Sequence, residues 1–192
     1  RAIDYLVNQY PEEVKEYNSI FNKSIWVTEW NLQISKTTGN TLLQSLFVAN
    51  YLLELMSNPD LSAIGLTTYH NLGGRDLSGS IFRNNKDEIE IQSTYYPMMM
   101  IGKIFQYDIV RIQQEKKDKV FSYKCYDKNG FELLEYQIDW EKNQIALFDK
   151  DVEIENGLVS KVYFLSDNLF DTARTDGKLS LDTIIENKYK VD

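Results

Sequence analysis

The stretch that decides the fold is Lys23–Asn31, which reads Lys-Ser-Ile-Trp-Val-Thr-Glu-Trp-Asn. Its first half is apolar and rich in β-branched and aromatic residues, which predicts a buried β-strand. Because side chains alternate along a strand, Ile25, Val27 and Glu29 are expected on one face. A carboxylate in line with two buried aliphatic side chains is costly unless it is paired. Glu29 is therefore the first candidate for a catalytic residue; the alternatives are a structural ion pair and a solvated position just beyond the strand.

Composition and charge narrow the classes of partner. The 192 residues carry a formal net charge of -8, and 13% of them are aromatic. An acidic chain is a poor match for nucleic acid or an anionic membrane, both of which are bound by clustered Lys and Arg. The charge is compatible with a neutral ligand such as a sugar, and aromatic residues occur both in sugar sites and in ordinary cores.

The chain has one cysteine, Cys125, and one histidine. No intrachain disulfide can form, and a Cys/His zinc site is not expected, so we predict no metal and no cofactor. Cys125 lies in an alternating run and is predicted to be a buried, inert thiol. No apolar run reaches the roughly 18 residues of a membrane helix. Arg1 lies within a predicted helix, so we expect a cut end there, and a missing signal peptide carries no information.

Residues 1–108 alternate between helical and strand patterns. A helix is predicted over 1–22, with a break or restart at Pro11. After the strand just described, a second helix is predicted over 41–56, with Asn40 or Thr41 as its N-cap. An unalternating strand follows over 63–69, typical of parallel strands buried on both faces. Residues 72–93 read as a long polar loop, and 96–107 as a helix. The order βαβα predicts parallel strands with crossover helices.

Residues 109–192 have a different character. Short strands are predicted at 110–114, 120–126, 131–140, 144–148 and 161–165, separated by turns at 127–130, 141–143 and 155–157, with a further turn at 176–177. Strands at this spacing predict an antiparallel β-sandwich. A helical pattern is expected only in the last dozen residues. No linker separates the two parts, so we expect them to be packed together.

The order of these motifs resembles the C-terminal end of a retaining glycoside hydrolase, most closely the α-L-arabinofuranosidase-type enzymes. The residues that carry the resemblance are the Thr-Glu-Trp strand, the strand end Tyr69-His70-Asn71, Tyr-Tyr-Pro at 95–97, and the strand-rich second half. These enzymes are (β/α)8 barrels followed by a β-sandwich. The resemblance implies an α/β plus all-β chain: the C-terminal βαβα portion of a barrel at 1–108, and an antiparallel β-sandwich at 109–192.

The resemblance also implies roles for individual residues. Glu29 matches the nucleophile at the end of barrel strand seven, and strand 63–69 would be strand eight. Active sites of such barrels lie at the carboxyl ends of the strands. The implied carbohydrate-binding residues are Trp30, Asn31, Tyr69, His70 and Asn71. The alternative to a sugar-binding role is a helix-facing core position for Trp30. For His70 it is a capping or loop position.

The chain departs from the family pattern in one respect. Retaining enzymes need two carboxyls about 5 Å apart, and the family's acid/base glutamate follows an asparagine at the end of strand four. No such strand end is present. Four acids of the predicted loop could reach the site, although their pattern favours a solvated surface: Asp76, Asp87, Glu88 and Glu90. A barrel also needs about 250 residues. We therefore expect a fragment of a longer chain that is inactive alone. The alternatives are that another chain supplies the missing strands, or that the two βα units pack on the sandwich in an atypical way.

Two other functions stay open from the sequence. One is a non-catalytic carbohydrate-binding or structural module that uses Trp140 or exposed tyrosines. The other is a catalytically dead homologue that serves in interactions. The family resemblance favours a secreted or periplasmic location, although the sequence itself shows no signal.

Overall fold

The computed structural model describes residues 2–32, 38–74, 79–85, 88–154, 157–166, 168–170 and 182–186. The chain opens with a continuous helical segment: α1 at Ala2–Asp4, a π-helical turn at Tyr5–Gln9, and α2 at Tyr10–Phe21. Pro11 lies in the first turn of α2, where a missing N–H is tolerated. The chain stays helical through this position, so the predicted break or restart is limited to the change from a π-helical turn to an α-helix. Asn22 ends α2 in the left-handed conformation.

A parallel βαβ unit follows, as predicted. Strand β1 at Ile25–Trp30 pairs in parallel with β2 at Ile64–Tyr69, and helix α3 at Leu42–Ser57 connects them. A short 3-10 turn at Pro59–Leu61 precedes β2. Thr41 is the N-cap of α3, because its side-chain oxygen accepts a hydrogen bond from Gln44 N at 3.4 Å.

The prediction that these two strands are buried is wrong. Trp26 is 69% exposed and Leu66 is 44% exposed. The pairing register shifts between Val27 and Trp30, so Glu29 is exposed and does not share the partial burial of Val27. The physical reason is that, in the part of the chain described, β1 and β2 pair only with each other, which leaves their outer edges and one face uncovered.

The predicted loop at 72–93 contains a small three-stranded sheet. Its strands are β3 at Gly73–Gly74, β4 at Phe82–Asn85 and β5 at Glu88–Ile91, with β4 antiparallel to β5. The loop prediction is therefore wrong for these residues, because the Glu-Ile-Glu-Ile alternation of β5 was masked by its polar surroundings. Helix α4 at Tyr95–Ile101 and a 3-10 turn at Gly102–Gln106 come next, close to the predicted 96–107.

The second half forms a large antiparallel sheet. Its strands are β6 at Arg111–Lys117, β7 at Val120–Tyr126, β8 at Glu132–Asp139, β9 at Gln144–Ile154, β10 at Gly157–Ser166 and β11 at Asp182–Glu186. Each strand pairs with the next, in the spatial order β11-β10-β9-β8-β7-β6. In the described residues these strands make one sheet. The strand at 182–186 replaces part of the helical pattern expected near the chain end.

The turn at 127–130 illustrates how the sequence specifies this meander. Asp127 Oδ1 accepts hydrogen bonds from the backbone of Asn129 at 2.9 Å and of Phe131 at 2.8 Å. Gly130 has φ +86°, a conformation that glycine adopts without strain. The predicted turns at 155–157 and 176–177 include residues outside the described part of the chain.

One hydrophobic core serves both halves of the sequence. Alternate residues of β7 and β8, among them Tyr123 and Leu134, are fully buried. They share a cluster with the apolar faces of α3 and α4, including Leu46 and Met100. The chain is thus a mixed α/β fold in which two helices cover the large antiparallel sheet. Among the residues described, no helix combines the length and the apolar character needed to cross a bilayer.

Candidate functional site

The candidate residues from the two strand ends lie together at the carboxyl edge of the β1–β2 pair. The strands end side by side, because Trp30 pairs with Tyr69 and His70 N donates to the Trp30 carbonyl at 3.0 Å. The parallel arrangement brings Glu29 and His70 to the same edge. The structure therefore assembles, in one place, residues that are about 40 positions apart in the sequence.

Glu29 and His70 face each other across this edge. Glu29 Oε2 lies 3.6 Å from His70 Nδ1, and the side chains are 73% and 54% exposed. The separation is too long for a hydrogen bond, but a protonated imidazole at this distance attracts the carboxylate. Glu29 is thus neither buried nor enclosed in a structural ion pair, and its carboxylate is accessible to a ligand.

Asn31 holds the edge together. Its Nδ2 donates to Tyr69 Oη at 3.2 Å, to the Gly79 carbonyl at 3.3 Å and to the His70 carbonyl. Its Oδ1 accepts from Gln44 Nε2 at 2.9 Å. One amide thus connects the ends of both strands, the segment before β4 and the first turn of α3. The Asn31 side chain thus makes its hydrogen bonds to other groups of the protein. Its predicted role in binding a ligand stays a prediction.

Two residues that sequence reasoning missed complete this arrangement. Gln44, which is almost fully buried, also accepts from Asn40 N at 2.8 Å. Gly79 has φ +68°, and a Cβ there would lie 2.1 Å from Gln44 Nε2. The Thr41-x-x-Gln44 spacing of a capping box was the available signal for Gln44. Nothing local marks Gly79 as special, because its role depends on contacts distant in sequence.

Trp30 lies against helix α3. Its ring centroid is 4.2 Å from that of Tyr51 on α3 and 5.1 Å from that of Tyr69. Of the two alternatives for Trp30, these contacts correspond to the helix-facing position. Tyr69 donates its hydroxyl proton to the Gly79 carbonyl, and burial raises the pKa of Tyr69. Both aromatic residues therefore anchor the strand ends through contacts within the protein.

Asn71 lies beside the imidazole. Its Nδ2 is 3.5 Å from His70 Nε2, and its backbone carbonyl accepts from Ile81 N at 3.1 Å. The side-chain Oδ1 is buried and has no hydrogen-bond partner. Asn71 therefore has an unpaired acceptor within two residues of the strand end, and this atom is enclosed by the protein.

The other acidic candidates do not supply a second catalytic carboxyl in the described residues. Glu90 pairs with Arg83 at 3.3 Å across the β4–β5 hairpin, and Glu88 is exposed at the start of β5. Asp76 and Asp87 lie outside the described part of the chain. No group of three or more potential metal ligands occurs in the described ranges. The arrangement seen is one accessible carboxylate beside one imidazole.

Comparison with known proteins supports a fold of the arabinofuranosidase type. No family model matches the chain, and no curated protein matches it. A solved structure of α-L-arabinofuranosidase from Thermotoga maritima, in a complex with arabinose, is similar at 16% identity with a TM-score of 0.53. The match covers 96% of this chain and 45% of that enzyme, so the chain spans less than half of its length. At this identity, the likeness establishes the fold alone.

Proposed function

We propose that this chain is part of a retaining glycoside hydrolase related to the arabinofuranosidases, in which Glu29 is the nucleophile. The observation that carries the proposal is the exposed Glu29 carboxylate at the carboxyl end of a parallel strand, 3.6 Å from His70 on the neighbouring strand end. Carboxyl ends of such strands are where barrel enzymes place their chemistry. The solved structure of similar fold is an arabinofuranosidase with bound arabinose, which suggests a carbohydrate as the substrate.

The mechanism would be double displacement. The Glu29 carboxylate attacks the anomeric carbon and the glycosidic bond breaks, while a second carboxylic acid gives its proton to the leaving oxygen. That group, now a base, removes a proton from water, which attacks the anomeric carbon and releases Glu29. His70 orients the Glu29 carboxylate, and Asn71 offers its Nδ2 group, which lies beside the imidazole, to a sugar hydroxyl. Trp30, Asn31 and Tyr69 shape the edge on which the sugar rests.

The proposal requires the remaining barrel. The uncovered edges of β1 and β2 would pair with strands of the longer chain, or of another chain, that also carry the second carboxyl. The large antiparallel sheet would then belong to the accessory β-sandwich beside the barrel. The 192-residue chain alone is expected to be inactive, because one carboxyl cannot serve as both nucleophile and acid.

The test is Glu29→Gln in the longer protein. An amide has the shape of the carboxylate but is a much weaker nucleophile, so kcat on an aryl glycoside should fall at least about 10³-fold with an unchanged melting temperature. Glu16→Gln, an exposed change on α2, serves as the matched control and should retain full activity. Activity of the Glu29→Gln variant within about threefold of wild type would refute the assignment of the nucleophile.

A further inference from the structure

A concave site has a lining that shares no residue with the strand ends around Glu29. A cavity of about 530 Å³ opens between the N-terminal helical segment and the β6–β7 hairpin. Its floor is apolar and aromatic, made by Ile3, Val7, Phe121 and Trp140. All four belong to the main core or pack against it. The volume falls in the usual range of small-molecule pockets, about 300–1,000 Å³.

The rim of this cavity is polar and balanced in charge. It carries Asp4, Asn8 and Asp118 together with Lys116 and Lys119. Asn8 Nδ2 donates to Asp4 Oδ1 at 2.8 Å, so the two helical side chains form one hydrogen-bonded pair at the opening. Two carboxylates beside two ammonium groups disfavour a strongly charged ligand of either sign. A purely apolar ligand would displace water from these groups without replacing the hydrogen bonds of that water.

A buried polar network fixes the aromatic platform and one of the cations. Trp140 Nε1 donates to Asn50 Oδ1 at 2.8 Å, and Asn50 Nδ2 donates to Tyr123 Oη, also at 2.8 Å. Tyr123 donates in turn to the Glu54 carboxylate at 2.6 Å, and Lys116 Nζ lies 3.4 Å from that carboxylate. Asn50 and Glu54 are fully buried. Such a network holds the indole and the ammonium group in place before a ligand arrives.

We propose that this cavity binds a neutral saccharide unit at a site separate from Glu29. The apolar face of a sugar ring stacks on the Trp140 indole, since an amphipathic ligand matches an aromatic floor with a polar rim. The hydroxyl groups meet Asp4, Asn8 and Lys119, which supply both acceptors and donors. The choice of carbohydrate over other neutral polar ligands rests on the proposed function; the cavity and its network do not depend on it.

The experiment titrates the ¹⁵N-labelled chain with arabinotriose and follows the three tryptophan indole N–H signals, with Trp140 assigned from Trp140→Phe. We expect the Trp140 signal to shift with a millimolar or tighter Kd while the Trp26 and Trp30 signals stay in place. Asn8→Ala and Lys119→Ala should each weaken binding about three- to tenfold, because each removes a hydrogen bond to the sugar. Asn18→Ala on α2 and Lys128→Ala in the β7–β8 turn are the matched controls and should bind as wild type.

Several results would overturn the proposal. These are no shift with arabinotriose, xylotriose or maltotriose, a shift confined to Trp30, or equal weakening in the rim and control variants. The same titration on Glu29→Gln separates this site from the proposed active site. Unchanged binding there supports an independent cavity, whereas loss of binding would assign the sugar to the strand ends. Repeating the titration on the longer protein applies the same criteria to the cavity beside a complete barrel.

Discussion

Gly79 allows three parts of the chain to meet at the strand ends. Its carbonyl accepts from Asn31 and Tyr69, and its missing side chain leaves room for the Gln44 amide. The backbone there has φ +68°, which L-residues rarely adopt. The hydrogen bonds that join the two strand ends therefore depend on a residue without a side chain.

Gly79→Ala should destabilise the protein by about 2 kcal/mol, because the new methyl group would collide with Gln44 and the backbone conformation would be strained. Gly102→Ala is the control: its φ is -54° and nothing lies within 4 Å of the added Cβ. That change should be neutral or slightly stabilising. Urea denaturation of both variants checks this, and equal stabilities would show that Gly79 is not tightly enclosed.

Some of the candidate site could be predicted from residues alone and some could not. Glu29 and His70 were predicted to be close because parallel strands end at the same edge. The hydrogen bonds of Asn31 could not be predicted, since Gln44 and Gly79 reach it from distant parts of the chain. The burial of Glu54 inside α3 also escaped prediction, although the polar pair Asn50 and Glu54 in a largely apolar stretch of the helix was a usable signal.

Strands β1 and β2 show how neighbours decide burial. Their apolar composition predicted buried strands, and the parallel pairing is confirmed, yet Trp26 and Leu66 are exposed. The apolar pattern is typical of strands that pack against other elements on both faces. The described residues pack against these strands on one face only. Helices with a clear apolar stripe were predicted to within one or two residues, whereas the short strands β4 and β5 were missed.

Trp26→Lys should reduce self-association of the isolated chain, because it places a charge on the uncovered face and leaves the packing of α3 unchanged. Sedimentation velocity over a range of concentrations measures the effect, and the free energy of unfolding should change by less than about 0.5 kcal/mol. Phe105→Lys, at a residue that is 82% exposed outside this strand pair, is the control and should not change association. Unaltered self-association of Trp26→Lys would show that this face does not drive it.

The shared core gives the whole molecule a distinct response to alkali. Burial raises the pKa of Cys125 to about 12 and raises the pKa values of Tyr123 and Tyr136 above their ordinary value. Above about pH 9 the unfolded chain releases protons that the folded protein keeps, so the unfolded state binds fewer protons. The free energy of unfolding must therefore fall as the pH rises through this range.

Urea denaturation at pH 8, 9, 10 and 10.5 measures this dependence. We expect a slope that grows towards about 1.4 kcal/mol per pH unit for each buried group that titrates only in the unfolded state. Cys125→Ala removes one of these groups and should reduce the slope between pH 9 and 10, even though the variant is less stable overall. A flat profile from pH 8 to 10.5 would contradict the burial of these groups.

The helices that cover the large sheet come from the other half of the sequence. Tyr136 donates its hydroxyl proton to the carbonyl of Met100, and Tyr123 donates to Glu54 of α3. Cutting the chain after Asp108 would leave each half with a wide apolar face. Each half should be poorly folded when it is produced separately as 1–108 or 109–192. When the two halves are mixed, they should recombine into a one-to-one complex. The β-rich half thus acts as an obligate template for its helical partner. A well-dispersed amide spectrum of 109–192 alone would show instead that this half folds autonomously.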